Sequence, residues 1–189
     1  MVYPSGRYCT LLLLVGLSIG ALQPGPQPAP LNQEEYLDAE DWLQSGLALN
    51  GAGNYREAAQ AFVRSLSIEP DNPFAWLNLG TSQALLGDYA LAINSLKKSV
   101  LLDPRLAVGF ANLAEVFFRT ERFEDAVEAY TGLLALWPND PNAHYKRGLA
   151  YLLLNDAGKA QAEYRSLKML DPALAGKLLE AIYQNSTHN

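Results

Sequence analysis

Apolar residues recur at two periods along residues 39–174 of the chain. Over short distances they lie at helical spacing, as Trp42, Leu43, Leu47 and Leu49 do before Gly51, which predicts amphipathic helices. Over longer distances the whole pattern returns at equal steps, and each return ends at a proline that cannot continue a helix. The pattern therefore predicts successive helix pairs, closed by Pro70, Pro104, Pro138 and Pro172.

Four other positions keep the same phase in every copy. One holds alanine, one holds a small residue, and two hold mostly bulky side chains. A small residue on one helix lets its partner helix approach closely, and the bulky side chains fill the remaining space. In chain order these positions are Ala58, Ala92, Ala126 and Ala160; Gly46, Gly80, Ala114 and Gly148; Trp42, Trp76, Phe110 and His144; and Phe62, Leu96, Tyr130 and Tyr164.

These residues resemble the tetratricopeptide repeat family, whose 34-residue signature runs W-x2-L-G-x2-Y, then A-x3-F, then P. Trp76, Leu79 and Gly80 match the first part, and Ala58 and Phe62 match the second. The resemblance implies an all-α fold, a right-handed superhelical solenoid of helix-turn-helix repeats that depend on one another for burial. We expect a repeat domain over 32–184, with repeats at 39–72, 73–106, 107–140 and 141–174, a capping helix at 175–184 and a disordered tail at 185–189.

Residues 1–31 have a different composition. Residues 1–22 combine Arg7 with a twelve-residue apolar run from Leu11 to Leu22, shorter than the roughly 20 residues that span a membrane. This favours a signal peptide cleaved near Gly20 or Ala21, while retention as a membrane anchor through residues 8–22 stays open. Residues 23–31 contain four prolines and predict an extended linker. The first helix is expected to begin at a capping box made by Asn32 and Glu35.

Composition narrows the classes of partner. Fourteen Lys and Arg against twenty Asp and Glu give a formal net charge of −6, which argues against a nucleic-acid partner, because phosphate contacts need clustered basic residues. Five acidic residues lie within 34–41 and form either a solvated helix face or a docking patch for a basic partner. The single cysteine, Cys9, cannot form an intramolecular disulfide.

The chain contains few candidate residues for catalysis or metal binding. His144 occupies a packing position between helices and His188 lies near the end of the chain, and neither has a cysteine or second histidine at metal-ligand spacing. There is no glycine-rich phosphate loop after a strand, and no strand pattern. The sequence therefore predicts a protein without catalytic residues, metal or cofactor.

The resemblance implies a working surface. In tetratricopeptide proteins the first helix of each repeat lines a concave groove that holds an extended peptide or a partner helix. Asn78 and Asn112 occupy equivalent positions there, and their amides are expected to bind the main chain of a peptide; the alternative is that asparagine is simply common at this position of the repeat. By position the groove contains Leu43, Leu47, Phe74, Leu77, Asn78, Thr81, Val108, Asn112, Glu115, Phe118, Asn142, Tyr145, Lys146 and Leu149.

One subtype of the family can be set aside. Chaperone-binding members hold a terminal carboxylate with a lysine and an asparagine one turn apart, where this chain has Leu43 and Leu47. The sequence thus predicts a scaffold for an internal peptide or a helix. It is expected to be exported, to a periplasmic or equivalent lumenal side, or tethered to a membrane, and to assist assembly of an envelope or membrane complex. The alternative is a structural module that stacks on itself or forms a homodimer.

Overall fold

The computed structural model describes residues 37–187, and this part of the chain consists of nine α-helices without a strand. The leader, the proline-rich linker, Asn32, Glu35 and His188 lie outside the described residues. In chain order the helices are α1 (Ala39–Gly51), α2 (Tyr55–Ile68), α3 (Pro73–Leu86), α4 (Tyr89–Leu102), α5 (Ala107–Arg119), α6 (Phe123–Leu136), α7 (Pro141–Leu153), α8 (Ala157–Leu170) and α9 (Pro172–Thr187).

The helices pack as four successive hairpins. Each odd-numbered helix from α1 to α7 packs against the helix that follows it, and each hairpin packs on the next; α9 covers both α7 and α8. The hydrophobic core runs along the stack as three clusters, one for each of its ends and one in the middle. Over the described residues the expected all-α solenoid is confirmed.

Proline and an asparagine or aspartate start two of the first helices. Asn72 accepts hydrogen bonds from the backbone N–H groups of Phe74 and Ala75 at 3.0 and 3.1 Å, and Asp140 accepts one from Ala143 N at 2.8 Å. Pro73 and Pro141 follow directly, at the first helical position, where a missing N–H costs nothing. The start of these helices is thus fixed by local chemistry.

The turn inside each hairpin uses the same backbone conformation. Gly53, Gly87, Glu121 and Asn155 occupy one position of the four successive repeats, and their φ angles are 81°, 85°, 58° and 60°. This left-handed region suits glycine and tolerates asparagine, whereas it strains a residue such as glutamate. The repeat geometry therefore imposes a strained conformation on Glu121.

Both ends of the repeat domain differ from the expectation. The cap of α1 is Asp38, which accepts from Asp41 N at 2.9 Å while Asp41 Oδ2 accepts from Asp38 N at 3.1 Å. The capping box assigned to Asn32 and Glu35 is therefore wrong for α1, because Asp38 and Asp41 form the complete box that begins this helix.

At the other end, α9 begins at Pro172 after the cap Asp171 and continues to Thr187, beyond the expected range of 175–184. The expected disorder of the tail is therefore wrong for residues 185–187. Asn185 is half-buried and lines a depression that Leu149 and Leu153 of α7 also line.

Close helix approach depends on the predicted glycines. A Cβ on Gly46 would lie 2.5 Å from Phe62 Cε1, and one on Gly80 would lie 2.7 Å from Leu96 Cγ. In the fourth hairpin the neighbour changes, since a Cβ on Gly148 would meet Leu178 of α9 at 2.6 Å. The capping helix thus supplies the bulky side chain expected from Tyr164.

Candidate functional site

The candidate site is the inner face, which we define as the solvent side of the first helices α1, α3, α5 and α7. Two of the fourteen predicted groove residues do not reach this surface, because Leu43 and Leu77 are 7% and 8% exposed and belong to the core. The remaining twelve are fully or partly accessible. Leu47, Phe74, Val108 and Asn142 are exposed or nearly so, and Asn78, Thr81, Asn112, Glu115, Phe118, Tyr145, Lys146 and Leu149 are half-buried.

Polar side chains on the inner face bind one another across neighbouring repeats. Asn112 Nδ2 donates to Thr81 Oγ1 at 2.9 Å, and Lys146 Nζ donates to Glu115 Oε2 at 3.1 Å. The two residues of each pair are 31 positions apart, which is one repeat less about one helical turn. The pair of Lys146 and Glu115 is therefore the ionic equivalent, one repeat further on, of the pair of Asn112 and Thr81. We call these two contacts the inner-face rungs.

The rungs change the role expected of the two asparagines. Asn112 already donates one N–H to Thr81, and Asn78 donates one to Phe74 O in its own helix at 2.8 Å. Each amide keeps its second N–H and its carbonyl oxygen for a ligand. The two asparagines are equivalent in register but not in bonding, because only Asn112 joins two repeats.

Two other side chains of this protein contact the Phe118 ring. Its ring meets Phe123 edge to face, with the centroids 5.5 Å apart, and Lys146 Nζ lies 5.4 Å from the ring centroid. Such an ammonium is attracted to the ring face. Lys146 therefore binds Glu115 and shields part of an aromatic surface at once.

A buried hydroxyl lies beneath the ionic rung. Tyr130 of α6 is 4% exposed, and among residues 37–187 its hydroxyl has no hydrogen-bond partner of normal geometry. Burial, followed by the nearby Glu115 carboxylate, raises the pKa of Tyr130 well above its usual value. A depression of about 180 Å³ adjoins it, lined by Glu115, Asn142 and Lys146 among others.

Leu85 and Leu153 also lie on the inner face, although they are not among the predicted groove residues. They are 52% and 53% exposed and border depressions of about 140 and 300 Å³. They occupy one position of the repeat, with Arg119 between them. The repeat register was the signal that could have found them.

His144 lies between helices, as its position predicts, but in an ionic cluster. Its Nδ1 is 2.6 Å from Glu163 Oε2, and Arg147 Nη2 is 2.8 Å from Glu163 Oε1. Its Nε2 is 2.9 Å from Pro138 O, and the indole N–H of Trp76 makes the same bond to Pro70 O at 2.7 Å. Because a carbonyl only accepts, Nε2 carries a hydrogen, and both ring nitrogens are engaged, with Nδ1 joining α7 to α8.

Neither a metal site nor a membrane-spanning helix is found in the part of the chain that the structure describes. No group of three or more His, Cys, Asp or Glu side chains in residues 37–187 is placed to hold a metal ion. None of the helices described there is both long and apolar enough to cross a membrane.

A family model with the description "Tetratricopeptide repeat" matches residues 43–104 and 112–182. The chain is 26% identical over 119 residues to small glutamine-rich tetratricopeptide repeat-containing protein 2 of Mycosarcoma maydis, covering 63% of this chain and 33% of that protein. It is 32% identical over 124 residues to the Hsp70-Hsp90 organizing protein of Triticum aestivum, covering 66% and 20%. It is 26% identical over 149 residues to protein O-mannosyl-transferase TMTC3 of Homo sapiens, covering 71% and 16%.

The fold is similar to that of solved repeat structures. The crystal structure of MamA protein superimposes with a TM-score of 0.73 at 26% identity, covering 79% of this chain and 82% of that one. A chain in the crystal structure of the APC/C hetero-tetramer Cut9-Hcn1 superimposes with a TM-score of 0.65 at 23% identity, covering 77% of this chain and 30% of that one. The chain spans about a third or less of the length of the curated relatives it matches.

Proposed function

The chain belongs to the tetratricopeptide repeat family, and from this premise we propose that it is a non-catalytic scaffold that holds a partner protein on its inner face. Proteins of this family act as protein-interaction scaffolds. The observation that carries the proposal is a row of large apolar side chains directed to solvent on the first helices. They are 38% to 53% exposed and comprise Leu47, Phe74, Leu85, Val108 and Leu153.

An apolar row of this kind favours a partner that buries it. Covering one such side chain contributes roughly 1.5–3 kcal/mol when burial is complete, and less where the side chain is already half covered. Several anchors together can offset the cost of immobilising a partner, which a single anchor cannot. The row therefore supports binding of a segment long enough to touch several repeats.

The charges of the inner face indicate the kind of segment. Glu115 and Lys146 neutralise each other across a rung, and at the positions of the carboxylate clamp the chain has Leu43, which is buried, and Leu47. These features favour an internal peptide or an amphipathic helix over a terminal carboxylate. The transferase named among the relatives is matched over 16% of its length, so its activity is no part of the proposal.

The test compares charged substitutions on the two sides of the stack. Phe74→Glu with Val108→Glu places carboxylates on the inner face, and Ile68→Glu with Leu101→Glu places them on exposed positions of the second helices. Affinity purification of crosslinked complexes, quantified by mass spectrometry, should lose the partner only for the inner-face pair. Equal recovery from both variants would remove the inner face from the proposal.

The place of action is proposed from residues 1–22 alone. Their apolar run after Arg7 supports export, to a periplasmic or equivalent lumenal side, or a membrane tether, and a role in assembling an envelope or membrane complex. Intact-mass analysis of the protein from its native cells tests this. A mature start near Ala21 or Leu22 means release, an intact leader in the membrane fraction means tethering, and an intact leader in the cytosolic fraction contradicts both.

Self-association is the second candidate, favoured by exposed residues near the carboxyl end of the stack. Met169 of α8 and Tyr183 of α9 are 87% and 65% exposed. If copies stack there, light scattering over a concentration series should show association that Tyr183→Glu abolishes. A monomer at every concentration would exclude this role.

A further inference from the structure

One depression on the inner face contains a buried hydroxyl. It measures about 180 Å³, lies between α5, α6 and the start of α7, and is called here the α5–α7 pocket. Its apolar lining comes from Ala111, Leu133 and Ala143, and Tyr130 lines it as well. Apolar walls with a few placed polar groups are typical of sites that bind a specific group of a ligand. The pocket is therefore a candidate site for one side chain of a partner.

The open space follows from one small residue. Its position in the four repeats holds Leu43, Leu77, Ala111 and Tyr145, in chain order. Leu43 and Leu77 are 7% and 8% exposed and occupy the corresponding space as core side chains. The third repeat has only the methyl group of Ala111 there. The pocket is thus a property of this repeat and not of the repeat family.

The same repeat places a hydroxyl where the first two repeats have none. Phe62 and Leu96 occupy the position of Tyr130, and both are fully buried. Tyr130 is buried too, yet within residues 37–187 its hydroxyl has no hydrogen-bond partner of normal geometry. Burial and the Glu115 carboxylate raise its pKa, so the hydroxyl keeps its proton and can donate. Since buried polar groups are normally hydrogen-bonded, this hydroxyl indicates a ligand that completes the bond.

The charged groups around the pocket are already compensated. Glu115 is paired with Lys146 at 3.1 Å. Asp140 accepts from Ala143 N at 2.8 Å and lies at the N-terminus of α7, where the helix dipole favours a negative charge. An additional cation would meet Lys146, and an additional anion would meet both carboxylates. The pocket therefore favours a neutral guest that forms hydrogen bonds.

We propose that the α5–α7 pocket is a subsite of the inner face that takes the primary amide of a glutamine or asparagine side chain of the partner. The amide carbonyl accepts from the Tyr130 hydroxyl, and the amide nitrogen donates to Glu115, whose Oε2 keeps its bond to Lys146. An apolar side chain of the same size would cover the hydroxyl without giving it a partner. The inference rests on the proposed function, because it names what one part of the inner face recognises.

A displayed library of random peptides, selected on the full chain, supplies the probes. Peptides that bind wild type and are lost in Ala111→Leu use the pocket, because leucine is the residue at this position in the first two repeats. These peptides should share one glutamine or asparagine. Replacing a shared glutamine with methionine, which has nearly the same shape, should weaken binding to wild type by roughly tenfold or more in fluorescence anisotropy, because the hydroxyl then lacks a partner.

Tyr130→Phe separates recognition of the amide from a merely structural effect. Phenylalanine stands at this position in the first repeat, as Phe62, so the variant should fold. It should bind the methionine peptide at least as tightly as the glutamine peptide, which reverses the preference of wild type. Tyr164→Phe removes the hydroxyl at the same position of the fourth repeat and should keep the wild-type preference. If a melting curve shows that Ala111→Leu is unfolded, this comparison alone gives the answer.

Two results would overturn the subsite and leave the proposed function intact. In the first, peptides lost with Phe74→Glu and Val108→Glu bind Ala111→Leu as they bind wild type, or share an apolar or charged residue in place of an amide. In the second, Tyr130→Phe keeps the wild-type preference, which would mean that water satisfies the hydroxyl. If no selected peptide depends on Phe74 and Val108, the proposed function fails and the subsite fails with it.

Discussion

At the scale of the residue, the strained turn at Glu121 is the most direct target for a test. Its φ of 58° falls where the first two repeats have glycine, and a left-handed conformation costs an L-residue roughly 1–2 kcal/mol. Glu121→Gly should raise the free energy of unfolding by about 0.5–1 kcal/mol, because relief of the strain exceeds the additional chain entropy that glycine loses on folding. Urea denaturation measures it. The reverse change at the same register, Gly87→Ala, should lower stability; if both variants match wild type, the turn holds no strain.

The buried hydroxyl of Tyr130 predicts an effect of pH. Its pKa is raised in the folded state by burial and by Glu115, so above about pH 10 the unfolded chain loses this proton while the folded chain retains it. Stability is therefore complete below that pH and falls as the pH rises further. In Tyr130→Phe the fall in melting temperature between pH 9 and pH 11 should be smaller than in wild type. Tyr183→Phe, at an exposed tyrosine, serves as the control, and an identical fall in all three proteins would contradict the prediction.

At the scale of the element, glycine matters where two helices meet. Gly80→Leu would drive a side chain into Leu96 and should lower stability by about 1–3 kcal/mol. Gly176 of α9 has nothing within 4 Å of a Cβ, so Gly176→Ala should raise stability by about 0.5–1 kcal/mol through helix propensity. Thermal melts of both variants provide the measurement. An unchanged melt for Gly80→Leu would contradict the close approach of α3 and α4.

The ionic cluster of His144, Arg147 and Glu163 holds the fourth hairpin together. Glu163→Gln keeps the shape of the side chain but removes the carboxylate that Arg147 and His144 share, which leaves the largely covered Arg147 guanidinium without its anion, and it should cost about 3 kcal/mol or more. Asp71→Asn breaks the exposed pair with Lys98 at 3.6 Å and should cost less than about 1 kcal/mol. Chemical denaturation of the two variants compares them directly. Similar losses would mean that the buried cluster is no more important than a surface ion pair.

The sequence predicted the helices well and the side-chain partners poorly. The phase of Pro70, Pro104, Pro138 and Pro172 located the hairpins because chain breakers act locally. The prediction of a capping box at Asn32 was wrong for α1 because the box is a short pattern that occurs more than once in this stretch. The box that begins α1 is the one at Asp38, directly before the first residue of the helix. Rungs such as Asn112 with Thr81 depend on side-chain orientation between repeats, which spacing along one helix does not reveal.

At the scale of the whole molecule, stability depends on contacts between neighbours. Each hairpin packs against the next, and the fourth hairpin also relies on α9, whose Leu178 is fully buried against Gly148. Deleting residues 172–187 should therefore unfold the fourth hairpin first and leave the earlier ones helical. Hydrogen exchange measured by mass spectrometry should show lost protection in α7 and α8 with protection kept in α3 and α4. Uniform loss along the chain would indicate one cooperative unit instead.

The two inner-face rungs differ in how strongly they depend on ionic strength. The contact between Asn112 and Thr81 joins neutral groups, whereas Lys146 and Glu115 attract each other as charges on a partly exposed surface. Raising the ionic strength weakens only the second kind of attraction. We therefore expect concentrated salt to weaken the contact between Lys146 and Glu115 and to leave the contact between Asn112 and Thr81 unchanged. Of the two rungs, only the one between the third and fourth hairpins would then respond to the salt content of the surroundings, while the apolar core keeps these hairpins packed together.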